Sequence, residues 1–110
     1  MLKSLKIGAL VLPHNVVLAP LAGITNLPFR LLCRREGAAL AFTEMVSVNG
    51  LVREGVNTLA LLKSTPEDRP LGIQLFGDTP QQLAEAARMV EGYGDPVSYT
   101  HLTLPTIYSV

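Results

Sequence analysis

With 110 residues, 48% of them hydrophobic, and a mean hydropathy of +0.33, the chain has apolar material for one small core and is too apolar for a disordered segment. Nine basic and nine acidic residues cancel, so no global basic field advertises nucleic acid. One cysteine excludes an intrachain disulfide and suits a reducing cytoplasm, and no run approaches the roughly 20 apolar residues of a membrane span, so a soluble cytoplasmic chain is expected, without membrane or metal.

Lys3 and Lys6 precede a short apolar stretch, Ile7 to Leu12, which Pro13, His14 and Asn15 interrupt too early for a secretory signal. Leu5 to Ile7 and Leu10 to Leu12 flank Gly8, the pattern of a small hairpin. Strand one is expected over Val16 to Ala19, broken at Pro20, with Asn15 bracing the chain before it. A small-residue loop follows (Ala22, Gly23), and then a helix from Leu27 to Glu36. Thr25 or Asn26 can cap that helix, Pro28 suits its first turn, and Gly37 ends it. Phe29, Leu32 and Cys33 share one face; Arg30, Arg34 and Arg35 cluster elsewhere and read as a solvated outer face rather than an RNA contact.

Strand two is expected over Leu40 to Thr43, ending at Glu44-Met45. A looser helical region covers Val48 to Leu62, interrupted by Gly50 and Gly55, and Ser64 to Arg69 is a polar loop. Strand three, Leu71 to Phe76, alternates: Leu71, Ile73 and Leu75 face one way, Gly72 and Gln74 the other. Thr79-Pro80-Gln81-Gln82 has the form of a capping box, and Leu83, Ala86, Ala87 and Val90 then recur at helical spacing. Strand–helix units in sequence imply an α/β fold with a parallel sheet and right-handed crossovers. Residues 96–110 contain no Lys, Arg, Asp or Glu, a break in character after Asp95.

The run Ala-Pro-Leu-Ala-Gly-Ile-Thr-Asn-Leu-Pro-Phe-Arg (residues 19–30) closely resembles the N-terminal signature of the tRNA-dihydrouridine synthases. Thr-Glu-Met-Val-Ser, Gln-Leu-Phe-Gly and the Ala-Glu-Ala-Ala helix extend the resemblance over residues 4–95. The family usually has Met where this chain has Leu21 and often Asp where it has Asn26, both mild changes. The resemblance implies a TIM barrel of which this chain is the N-terminal part, about three strand–helix units; a complete barrel needs about 250 residues. It also implies FMN as cofactor, NADPH as reductant and tRNA as substrate. Reduced flavin delivers hydride to C6 of a uridine while a cysteine protonates C5, giving 5,6-dihydrouridine.

Carried over residue by residue, the resemblance makes Pro20, Leu21 and Ala22 cofactor-binding, as the first barrel loop, and Gln74 a contact to the flavin's pyrimidine edge. Without it, Ala-Pro-Leu-Ala-Gly reads as a plain strand terminator and Gln74 as a structural amide. Glu44 ends strand two, where a carboxylate either has a partner or borders the substrate cleft. The family's acid lies in a Gly-Cys-Pro that has no counterpart here, so no catalytic residue is assigned. Cys33, mid-helix beside Leu32, reads as a small core hydrophobe. His14 and His101 receive no role.

Two expectations concern extent. Residues 1–95 form the N-terminal portion of the barrel, and residues 96–110, which depart from the family's Asp-Ile-Asn run, read as a translation artefact. The chain by itself is then an inactive fragment. A flavin reductase of the old-yellow-enzyme type also has Ala-Pro after its first strand, but Gly-Ile-Thr-Asn-Leu-Pro-Phe-Arg and Thr-Glu-Met separate this chain from it. A non-catalytic interaction module is the remaining alternative.

Overall fold

The computed structural model describes residues 2–93 and the backbone of residues 99–103. The hairpin forms as its pattern suggests. β1 (Leu5–Ile7) pairs antiparallel with β2 (Leu10–Leu12), Leu5 opposite Leu12. Leu12 is buried with Ala39 and Leu40, and Leu5, Ile7, Leu10 and Val17 pack against that cluster. The hairpin therefore plugs the end where β3 (Val17–Leu18) and β4 (Leu40–Phe42) begin, which leaves their other ends open.

Strand one is shorter than its apolar run, since β3 covers only Val17–Leu18, although the Ala39 N–H still donates to the Val16 carbonyl at 2.9 Å. The helix that follows, α1 (Leu27–Arg35), starts as the composition demands: the Phe29 N–H donates to Asn26 Oδ1 at 3.0 Å. Asn26, not Thr25, is the cap. At the other end Ala38 N–H bonds the Cys33 carbonyl and Gly37 N–H the Arg34 carbonyl, both at 3.0 Å, and Gly37 takes φ +109°. That is a Schellman ending, and only glycine enters its left-handed position without strain.

β3 pairs parallel with β4, Val17 opposite Leu40, and β4 pairs parallel with β6 (Leu71–Gly77), Ala41 opposite Leu71. β5 (Val46–Ser47) continues the ladder along β6, Val46 opposite Leu75. Three residues separate Phe42 from Val46, but two separate their partners Gly72 and Leu75. Strand two is thus one interrupted strand with a bulge at Thr43–Met45, a device that re-aims side chains at a strand's working end. The looser helical region resolves into α2 (Val48–Val52) and α3 (Val56–Ala60), split by a turn in which Glu54 has φ +55°.

α4 (Pro80–Val90) returns over the sheet with Ala86 and Val90 fully buried. They join Val46, Val48, Leu51, Leu62, Ile73 and Leu75 in the main core, so the face of strand three that holds Ile73 and Leu75 is the one that packs under the helices. On the opposite face a Cβ at Gly72 would run into the Phe42 ring, so glycine admits that ring. The capping box ahead of α4 does not form: Thr79 makes no side-chain cap, and its hydroxyl donates to Asp78 Oδ1 at 3.2 Å.

β7 (Tyr99–Thr103) pairs parallel with β6 on its other edge, Ile73 opposite Tyr99. The rest of the 96–110 segment, about which an artefact is expected, lies outside the described residues. Parallel neighbours following chain order, with helices between them, are the wall of an incomplete (β/α) barrel.

Candidate functional site at the strand ends

All the parallel strands point the same way, and their carboxyl ends bring the loop after β3, the bulge between β4 and β5, and the outer half of β6 together. Working groups gather at this end of such sheets. Leu21, Ala22 and Gly23 are exposed and Pro20 is half-buried, so the β3–α1 loop offers main chain with little bulk in front of it. Around Gly23, which takes φ +76°, a Cβ would meet nothing within 4 Å. A flat ring could lie against such a surface.

Glu44 has its partner there. Its Oε1 accepts the Gly23 N–H at 2.6 Å, joining the bulge to the loop. Behind it sits Thr43, fully buried, which sequence reasoning passed over. The Thr43 hydroxyl accepts the Gln74 N–H at 3.2 Å and donates to the Glu44 carbonyl at 2.9 Å, while the Thr43 N–H donates to the Gly72 carbonyl at 2.9 Å. Gln74, Glu44 and the Pro20–Gly23 loop are therefore linked through one short hydrogen-bonded path. The Gln74 side-chain amide is half-buried and makes no hydrogen bond among the described residues, which leaves both its donor and acceptor for a ligand.

The arginines are a correction. Arg30 is only 1% exposed, not solvated. Its Nε donates to Asp68 Oδ2 at 2.9 Å, Nη1 to the Thr25 carbonyl at 2.8 Å and Nη2 to the Lys63 carbonyl at 3.0 Å. Arg34 Nε donates to Asp68 Oδ1 at 2.7 Å and its Nη2 to the Pro70 carbonyl at 2.6 Å, leaving Arg35 as the exposed member of the trio. The polar loop supplies the anion: Asp68 is fully buried and also accepts from Ser64 Oγ at 2.9 Å. Burial is the largest influence on Asp68 and favours its neutral form. The hydrogen bonds from Arg30, Arg34 and Ser64 and the Arg30 charge outweigh it, holding the carboxyl below its ordinary 3.8. A signal existed, because Arg30 and Arg34 stand one helical turn apart and can share one carboxylate.

Other expectations shift for related reasons. Leu32 is 52% exposed and Cys33 half-buried, so that face of α1 is open beside β3 and the thiol is not in the core. Both line an apolar recess with Val16, Val17, Leu18 and Ala38. Asn15 is exposed and braces nothing through its side chain among the described residues, whereas His14 Nδ1 accepts the Val16 N–H at 3.2 Å. Among the described residues no group of His, Cys, Asp and Glu is arranged to hold a metal, and no helix is long and apolar enough to cross a membrane.

Comparison with known proteins adds an independent line. The family model for dihydrouridine synthase (Dus) matches residues 17–97. The chain is 41% identical over 90 residues to tRNA-dihydrouridine synthase B of Xanthomonas campestris pv. campestris, covering 82% of this chain and 27% of that one. It is 43% identical over 76 residues to a probable tRNA-dihydrouridine synthase of Aquifex aeolicus, 69% of this chain and 24% of that one. Against tRNA-dihydrouridine synthase B of Pseudomonas aeruginosa it is 41% identical over 83 residues, 76% of this chain and 25% of that one. The chain spans about a quarter of the length of these curated relatives.

Proposed function

This chain belongs to the dihydrouridine synthase family, and from that premise we propose that it forms the flavin-side wall of a cytoplasmic enzyme reducing uridine to 5,6-dihydrouridine in tRNA. The observation that carries the reading is the path Gln74–Thr43–Glu44–Gly23, which ties an amide with no side-chain partner among the described residues to an open main-chain loop at the carboxyl ends of three parallel strands. The residues fit FMN: a small-residue loop for a flat ring to rest on, and an amide able to donate and accept along a pyrimidine edge. When bound, FMN would supply the hydride, with NADPH as its source of reducing equivalents.

The chain's own residues then have separable tasks. Pro20, Leu21 and Ala22 offer the surface for the ring. Gln74 fixes its orientation by paired hydrogen bonds. Glu44, engaged with Gly23, holds the loop at its distance from β6 rather than facing the substrate. The 110 residues contain no counterpart of the family's Gly-Cys-Pro acid, and their isolated form is proposed to be inactive.

The test uses a complete synthase carrying this segment. Gln74→Ala should weaken FMN binding about tenfold, the worth of one or two neutral hydrogen bonds, with the circular dichroism unchanged. Unaltered FMN affinity would refute the assignment.

A further inference from the structure

We infer that Arg30, locked by Asp68, is the positioning residue for the Pro20–Thr25 loop, a role that rests on the flavin reading for its purpose. The loop cannot hold its own shape by packing, since Leu21, Ala22, Gly23 and Ile24 are all exposed. Its main chain is held by hydrogen bonds instead. The Ile24 and Thr25 N–H groups converge on the Leu21 carbonyl at 3.0 and 2.9 Å. The Thr25 hydroxyl donates to that same carbonyl at 3.1 Å and accepts the Leu21 N–H at 3.1 Å. Everything in this turn is therefore referred to Thr25, which is fully buried.

Thr25 in turn is held through its carbonyl by Arg30 Nη1 at 2.8 Å. The guanidinium cannot drift, because its other nitrogens are spent on Asp68 and the Lys63 carbonyl. Asp68 is itself pinned by Arg34 and Ser64. One planar group thus reaches three partners on two segments, the loop before α1 and the connection between α3 and β6, which a lysine ammonium on a flexible stem cannot reproduce. Glu44 grips the loop at Gly23 from the bulge, and Arg30 grips it at Thr25 from α1. Held at both points, the exposed main chain between them keeps one shape for a ligand to meet, and that preorganisation is what a binding loop without packing requires.

The test is amide hydrogen exchange on a complete synthase carrying this segment and on its Arg30→Lys variant. Lysine keeps the charge beside Asp68 but gives up the contact to Thr25. Exchange at Ile24 and Thr25 should rise about tenfold or more, as expected for one lost hydrogen bond from a charged donor. Amides of β6 and α4 open only with the whole fold and should rise less than those of the loop, by no more than the loss of global stability read from urea unfolding. A uniform rise over the whole chain, or no change in the loop, would overturn the positioning role. Asp68→Asn is the second variant, and global unfolding of both would likewise overturn it in favour of a purely structural ion pair.

The flavin part is read apart, as FMN retained on purification of a complete synthase carrying residues 17–97. Wild type without FMN would sink the flavin reading while the exchange result still decided what Arg30 does to the loop. FMN retained equally by wild type and Arg30→Lys would break the link between loop and cofactor.

Discussion

Replacing Asp68 by Asn tests whether the buried ion pair supports the fold of this chain. The substitution keeps size and shape and removes only charge and half the acceptor capacity. In the native structure the carboxylate receives Arg30 Nε at 2.9 Å, Arg34 Nε at 2.7 Å and Ser64 Oγ at 2.9 Å, with Arg30 Nη2 at 2.8 Å as well. An amide can satisfy one side of that set and must turn its own N–H groups toward a guanidinium on the other. Arg30, 1% exposed, is then a buried cation without a counter-ion, whereas Arg34 at 10% exposure recovers some water. Counting three charged hydrogen bonds separately would overstate the loss, because the groups act as one network. Removing one partner of a buried pair costs about 3–5 kcal/mol, against the 5–15 kcal/mol or so that holds a typical domain together. With a urea slope near 2 kcal/mol per molar, the unfolding midpoint should fall by roughly 2 M. The sign with pH follows from the lowered carboxyl: its stabilisation is complete above the unfolded value and disappears as pH drops through the folded one. The gap between wild type and Asp68→Asn should accordingly be full at neutral pH and close on acidification below about pH 4. A loss under about 1 kcal/mol at pH 7, the range of exposed pairs, would refute the reasoning.

The remaining expectations are simpler to read. Gly72→Ala drives a methyl into the Phe42 ring and should cost about 1–3 kcal/mol in chemical denaturation; a neutral result would mean that the ring moves aside freely. Glu44→Gln retains an acceptor for the Gly23 N–H and should leave FMN affinity of the complete synthase nearly unchanged, while Glu44→Ala weakens it, and equal loss in both variants would instead assign the charge itself a role. Cys33→Ala should leave dihydrouridine formation by the complete synthase intact and cost about 1 kcal/mol in stability, so lost turnover with normal folding and flavin content would make this thiol functional. The isolated chain, titrated with FMN and followed by flavin fluorescence, should bind weakly or not at all, because in such barrels the phosphate is commonly gripped by loops after strands seven and eight; tight stoichiometric binding would contradict that.

Local patterns determined much of this protein. The hairpin about Gly8, a helix start at Thr25 or Asn26, the Gly37 ending, the one-sided set of β6 and the buried stripe of α4 are all written in spacing and residue type, because each depends on neighbours within a few positions. The family resemblance, rather than strand position by itself, singled out Pro20, Leu21, Ala22 and Gln74, while Glu44 stood out as a carboxylate at a strand end. What the sequence could not show was who meets whom across the sheet. Arg30 and Arg34 look like solvated charges until a carboxylate 38 and 34 residues away folds in beneath them. Glu44 has no visible partner until a backbone N–H 21 residues upstream arrives at 2.6 Å. Thr43 draws no notice until the one-residue excess in its strand turns its hydroxyl to the Gln74 N–H. Buried polar groups choose their partners by what tertiary packing brings within about 3 Å, and no local periodicity records that distance.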